Sequence, residues 1–122
     1  MLHKLITYAH SNLRHHLVVL NSEVEGLHYV NIGKVLATAL CDHVDEEDLH
    51  TLAANRIANI VKTSITHHNQ LGKYIALTNL HILFEPELKF DVPVLLDSWS
   101  KHTLLIINLN NEEYPNLKPT HQ

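Results

Sequence analysis

Residues 73–109 read KYIALTNLHILFEPELKFDVPVLLDSWSKHTLLIINL, and this stretch decides the fold class. Tyr74–Leu77 and Thr103–Leu109 are apolar runs of strand length, rich in Ile and Leu. Runs without polar alternation suit strands buried on both faces, with helices above and below the sheet. Between them lie a short apolar segment, Leu80–Phe84, and the turn-prone Glu85-Pro86-Glu87. Asp91–Ser100 then places Val92, Leu95, Leu96 and Trp99 at helical spacing, with Pro93 allowed in the first turn. The order is strand, polar tip at Thr78-Asn79, helical crossover, strand: a βαβ unit. Ligands in such sheets sit beyond the carboxyl ends of the strands, so Thr78 and Asn79 are the first candidate site residues.

Upstream of this unit, Leu2–Leu13 reads as a helix, with Leu2, Leu5, Ile6, Ala9 and Leu13 on one face. Leu17–Leu20 is a short buried strand and Leu27–Asn31 a second strand candidate. Only six residues separate Leu20 from Leu27, whereas adjacent parallel strands need a crossover of about a dozen. Either the two form an antiparallel hairpin, which is the expectation, or one of them lies outside the sheet. Gly33–Leu40 predicts a short helix. Asp45 is the expected N-cap of a longer one, with Glu46, Glu47 and Asp48 in a first turn where the helix dipole favours negative charge. Its apolar face runs from Leu49 through Ala53, Ile57 and Val61 to Ile65, ending near His67-His68 with Gly72 as the stop. The expected organisation is one α/β domain over residues 1–109 and an irregular, surface-lying tail over 110–122.

Composition excludes several function classes. The chain has 122 residues, 45% apolar and 18% charged, as in an ordinary globule. Its net charge of −4, with no basic run, lacks the footprint of a nucleic-acid binder. No stretch approaches the ~20 apolar residues of a membrane span, and the first twenty residues alternate too often for a signal peptide. A single cysteine, Cys41, fits a reducing cytoplasm.

The sequence also lacks most catalytic signatures. A phosphate-binding loop needs G-x-x-x-x-G-K-[ST]. Of the two Gly-Lys pairs, Gly33-Lys34 is followed by Val35 and preceded by His28 at the first glycine position, while Gly72-Lys73 is followed by Tyr74 and preceded there by His67. Thr78-Asn79 supplies no magnesium-holding acid. The twelve histidines permit clusters such as His10, His15 and His16, or His67 and His68 with Cys41, yet no metal-site spacing occurs. Cys41 with His43, or Ser98 and Ser100 with Asp97 and His102, are poor nucleophile arrangements because neighbours in sequence do not readily converge. No cofactor is expected.

The organising stretch resembles the small P-loop proteins encoded in type 3 BREX phage-defence systems. The likeness rests on Leu80–Phe84, Pro86-Glu87-Leu88-Lys89, Leu95-Leu96, Ser100 and Thr103-Leu104, about a third of the chain. These follow the family's order of apolar strand, L-F-x-P-E-L-K-like turn, leucine helix, serine followed by a basic residue, and closing strand. Leu17–Leu20 matches the strand that feeds the phosphate loop, the family's strand-tip acid falls on Thr78 or Asn79, and its basic residue on Lys101. The resemblance implies a small, shortened P-loop-like sheet with flanking helices and a setting in antiviral defence. The missing glycine loop and acid remove the ATPase activity it would otherwise imply. The expected role is a non-catalytic accessory contacting other proteins of the same system, or itself as a homo-oligomer, without direct nucleic-acid or membrane binding. A generic scaffold module, or an ATPase subunit whose site a partner completes, remain alternatives. The expected partner-facing residues are Glu85, Glu87, Lys89 and Phe90 in the turn, and Lys101.

Overall fold

A computed structural model describes residues 16–115 and 117–119 of the chain. The elements run β1 (Leu17–Leu20), β2 (Tyr29–Asn31), α1 (Ile32–Leu40), α2 (Leu49–Thr63), β3 (Thr66–His68), β4 (Gly72–Thr78), α3 (Val92–Trp99) and β5 (Leu104–Asn108). Two short 3-10 turns, His81–Phe84 and Pro86–Leu88, link β4 to α3. The helix expected at Leu2–Leu13 lies outside the described residues. The fold is α/β, built on a sheet ordered β1-β5-β4-β2 in which these four strands are all parallel.

The βαβ unit forms as its sequence pattern predicts. β4 and β5 pair in parallel from Tyr74↔Leu104 to Thr78↔Asn108. Between them Asp91 caps α3, its Oδ1 accepting from Val94 N at 3.3 Å, with Pro93 in the first turn. Every residue of β5 is buried, which is why its run shows no polar alternation. Burying each such Ile or Leu contributes about 1.5–3 kcal/mol against leaving it in water.

The two faces of the sheet are covered differently. Val19, Ile75, Leu77, Leu105 and Ile107 pack against all three described helices, through Ile32 and Leu36 of α1, Ala53 and Ile57 of α2, and Val92 and Leu96 of α3. Val18, Leu20, Tyr74, Ala76, Leu104 and Ile106 line the opposite face, where Val24 and Leu71 pack on them. The described helices thus share one face rather than lying above and below.

The expected hairpin of the first two strands does not form. β1 and β2 are parallel and stand at opposite ends of the strand order, so the rule for adjacent strands does not apply. Leu20 lies level with Thr78 through Asn108, and Tyr29 level with Ala76. The connection therefore crosses three strand spacings, roughly 14 Å, while dropping only two residues, roughly 7 Å. The intervening residues 21–28 reach further than that when extended. They cross the face away from the helices, with Val24 buried and its N–H donating to the Tyr29 hydroxyl at 2.9 Å. His28 N donates to the Tyr74 hydroxyl, also at 2.9 Å. The steps from β2 to β4 and from β4 to β5 run one way over the helical face, and this step runs the other way over the opposite face. All three connections accordingly share one hand, as the rule for parallel strands requires.

Two boundaries of α2 also differ from expectation. The helix starts at Leu49 behind Asp48, not behind Asp45, and Asp48 makes no side-chain cap bond. The acidic segment forms successive turns instead, with His43 N bonding Leu40 O, Glu46 N bonding His43 O, and His43 Nδ1 meeting Glu46 Oε1 at 2.7 Å. The apolar face begins only at Leu49, and packing outweighs the dipole preference. At the other end Thr66–His68 leaves the helix and pairs antiparallel with Gly72–Tyr74 of β4. That half of the β4 edge lies beyond the reach of β2, which pairs only Ala76–Thr78. His68 Nδ1 accepts from Gln70 N and Leu71 N, holding the turn between the two strands.

Leu80–Phe84, an apolar strand in the family likeness, is instead a 3-10 turn with Leu83 buried. The described part of the tail holds no helix or strand beyond an isolated bridge between Tyr114 and Leu117, and Tyr114 is buried in the main core with Leu117 packed against it. No helix among the described residues is long and apolar enough to cross a membrane.

Candidate functional site

The carboxyl edge of the parallel strands is where a ligand crevice belongs in this architecture. Asn31, Thr78 and Asn108 stand in register there, across β2, β4 and β5. Beyond them the chain turns through Asn79, Asn110 and Asn111, at φ of 61°, 53° and 62°. Asparagine is among the few residues that enter this left-handed region readily, because its short amide bonds locally. Asn108 is buried, with Oδ1 accepting from Asn110 N at 2.9 Å. The last residues of β2, β4 and β5 are thus the neutral Asn31, Thr78 and Asn108, while the carboxylates Glu112 and Glu113 follow in the chain beyond β5 and line a hollow with Asn21 and Leu109.

Thr78 and Asn79 sit at the predicted strand tip, and Asn79 has a defined task. Its Nδ2 donates to Asn31 Oδ1 at 2.9 Å, and the same oxygen accepts from Lys34 N at 2.9 Å. Asn31 is both the last residue of β2 and the cap of α1, so no loop separates strand from helix. Gly33-Lys34 consequently falls in the first turn of α1, where Gly33 is pressed against Asn79. The segment after β1, which in the P-loop pattern would wrap phosphates, crosses the far face of the sheet and leads to no helix of its own.

A second cluster, unforeseen from the sequence, ties the tail to the chain leaving β4. Glu112 Oε2 bonds His81 Nε2 and accepts from the Tyr114 hydroxyl at 3.0 Å. That hydroxyl accepts from Leu80 N, and the Tyr114 ring stacks on Phe84 at 5.5 Å between centroids. The bonds from Tyr114 and then His81 hold the Glu112 carboxyl below its usual range. Burial, and then the bond to Glu112, push the Tyr114 phenol up. A lone tyrosine in a polar tail was the only signal available for this clasp.

The loop after β4 places its residues in two groups. Glu85, Glu87 and Lys89 are exposed, with Lys89 in the left-handed region at φ 56°. Leu88 is buried, and Phe84 and Phe90 pack against the main core. Phe90 is half-buried, packing on the core while also lining the hollow beside Lys89. Lys101 follows α3, at the amino end of β5, whereas the Glu85–Phe90 loop follows the carboxyl end of β4. Ser100 is buried with Oγ donating to Asp97 O at 3.2 Å, while His102 is exposed. Among the described residues no group of three His, Cys, Asp or Glu side chains is placed to hold a metal ion.

No protein-family model matches the chain, and comparison with curated proteins and with solved structures gave no match either.

Proposed function

We propose that the protein is a non-catalytic accessory of a prokaryotic antiviral defence or mobile-element system, working in the cytoplasm through contacts with other proteins. The observation that carries this reading is the direct joint of β2 and α1. Asn31 occupies the Lys34 amide, Asn79 packs on Gly33, and the Gly33-Lys34 pair stands in a helix rather than in a loop that could cradle a phosphate. The likeness to the BREX-encoded P-loop proteins supplies the biological setting. The Glu85–Phe90 loop is the contact surface in this reading. The sheet edge formed by β2 and β3 suits docking less, being two three-residue strands on one side of β4. The net charge of −4 supports proteins rather than nucleic acids as partners.

Affinity purification of the tagged protein from its native host, with captured proteins identified by mass spectrometry, tests the setting. Components of one defence locus are the expected result, and unrelated or absent partners would sink it. Calorimetry with millimolar ATP and magnesium should show no heat of binding. A micromolar dissociation constant would restore a nucleotide-dependent enzyme.

A further inference from the structure

An apolar groove of about 550 Å³ opens between the end of α1, the start of α2 and the two 3-10 turns. Ala37, Leu40, Leu49, Ile82 and Leu88 form its walls, and Val44 stands at its side with 61% of its surface exposed. Glu85 and Glu87 line it directly. The segment that joins α1 to α2 lines it through Cys41 and Val44, and the same segment carries, beside those two lining residues in the chain, the exposed carboxylates Asp42, Asp45, Glu46, Glu47 and Asp48. These acids are more than half of the 13 in the chain. Glu46 meets His43, and none of them pairs with a lysine or arginine among the described residues. Lys89, the one cation of the Glu85–Phe90 loop, lines the neighbouring hollow instead.

We propose that this groove docks a basic amphipathic helix of a partner protein. Apolar side chains spaced one helical turn apart would enter the groove, and flanking Lys or Arg would meet the acidic rim. The inference rests on the reading that the protein acts through protein contacts, and names the chemistry of the partner. Charge complementarity selects this occupant. A second copy of the same groove would set carboxylates against carboxylates, and nucleic acids and anionic membranes carry the same sign. A neutral helix would fill the groove but leave the acids unanswered, whereas a basic one gains both attraction and steered association.

The test uses the full chain and a fluorescein-labelled synthetic helix of leucine and lysine, beside the same peptide with glutamate at every lysine. Anisotropy should report binding of the lysine peptide that weakens with salt, and none of the glutamate peptide. The bound peptide should slow alkylation of Cys41, the single cysteine of the chain, which is exposed in the groove. Replacing Glu85→Lys with Glu87→Lys should weaken binding about tenfold or more, since two attractions become repulsions. Val44→Ser should also weaken it, and neither variant should change the melting temperature. Glu23→Lys with Glu25→Lys, on the crossing segment of the opposite face, should bind like wild type. Equal binding of both peptides, unchanged Cys41 alkylation, or equal losses in the Glu23/Glu25 variant would overturn the proposal. Host purification separates the two levels. Equal capture of partners by wild type and the Glu85/Glu87 variant rejects the groove and keeps the protein-contact reading. Specific peptide binding without any host partner rejects that reading and keeps the groove.

Discussion

A methyl group on Gly33 would lie 2.6 Å from both the side-chain nitrogen and the backbone oxygen of Asn79. Real Cβ atoms do not approach that closely, so the first turn of α1 and the tip of β4 meet only because residue 33 has no side chain. The contact joins the tip of β4 to the first turn of α1 at the carboxyl edge of the sheet.

Gly33→Ala should therefore destabilise the protein, although alanine is the better helix former by about 1 kcal/mol. Overpacking against a backbone oxygen costs about 1–3 kcal/mol, because the oxygen cannot rotate away. A lower thermal midpoint is expected. Adding Asn79→Gly removes only the side-chain half of the clash and leaves the backbone oxygen in place, so the double variant should stay below wild type. A Gly33→Ala protein as stable as wild type would show that the two elements do not touch as described.

Asn79 itself separates conformation from bonding. Asn79→Gly keeps the left-handed turn and loses the bond to Asn31, worth about 0.5–1.5 kcal/mol. Asn79→Ala loses the bond and adds left-handed strain of about 1–2 kcal/mol. Chemical denaturation should rank wild type above the glycine variant and the glycine variant above the alanine one. The reverse order of the two variants would argue that residue 79 leaves the left-handed region.

The Glu85–Lys89 loop should split by side chain. Leu88 is buried in the main core, so Leu88→Ala should cost about 2–5 kcal/mol of stability. Glu87→Lys and Lys89→Glu are exposed changes and should leave the melting temperature alone. Light scattering and pull-downs on the charge variants then report association without a folding defect. Unchanged mass and unchanged captured proteins in both would remove the loop from the contact surface.

The tail clasp predicts a direction for acid sensitivity. Glu112 is held below its ordinary 4.5 by Tyr114 and His81, so the folded state favours the carboxylate. Its contribution is complete above the unfolded value and is lost as pH falls through the lower folded one. Glu112→Gln should melt below wild type at neutral pH, with the gap closing as pH drops under that ordinary value. Melting curves over that range check it, and a gap independent of pH would show that the carboxylate charge is not what the clasp uses. At the alkaline end, Tyr29 and Tyr114 are both raised above 10.0, so tyrosinate absorbance should reveal a late-titrating fraction.

The sequence by itself determined the centre of this protein. Unbroken apolar runs mark β4 and β5 as strands covered on both sides, and Asp91 with Pro93 marks the start of the helix between them. The three- and four-residue spacing of Leu49, Leu52, Ala53, Ile57, Ile60 and Val61 likewise marks α2. Such patterns are local, since they report that a residue needs burial and at what repeat. What covers it was decided only by the tertiary structure. The edge of β4 left open by short β2 drew Thr66–His68 out of the expected helix, and the depth at which β1 and β2 enter the sheet let residues 21–28 cross it without a helix. Thr78 and Asn79 were legible as a strand tip because a polar pair ends an apolar run. That Asn79 would close over Gly33, 46 positions earlier by the numbering, was not, because contact between distant segments depends on the space the whole fold leaves.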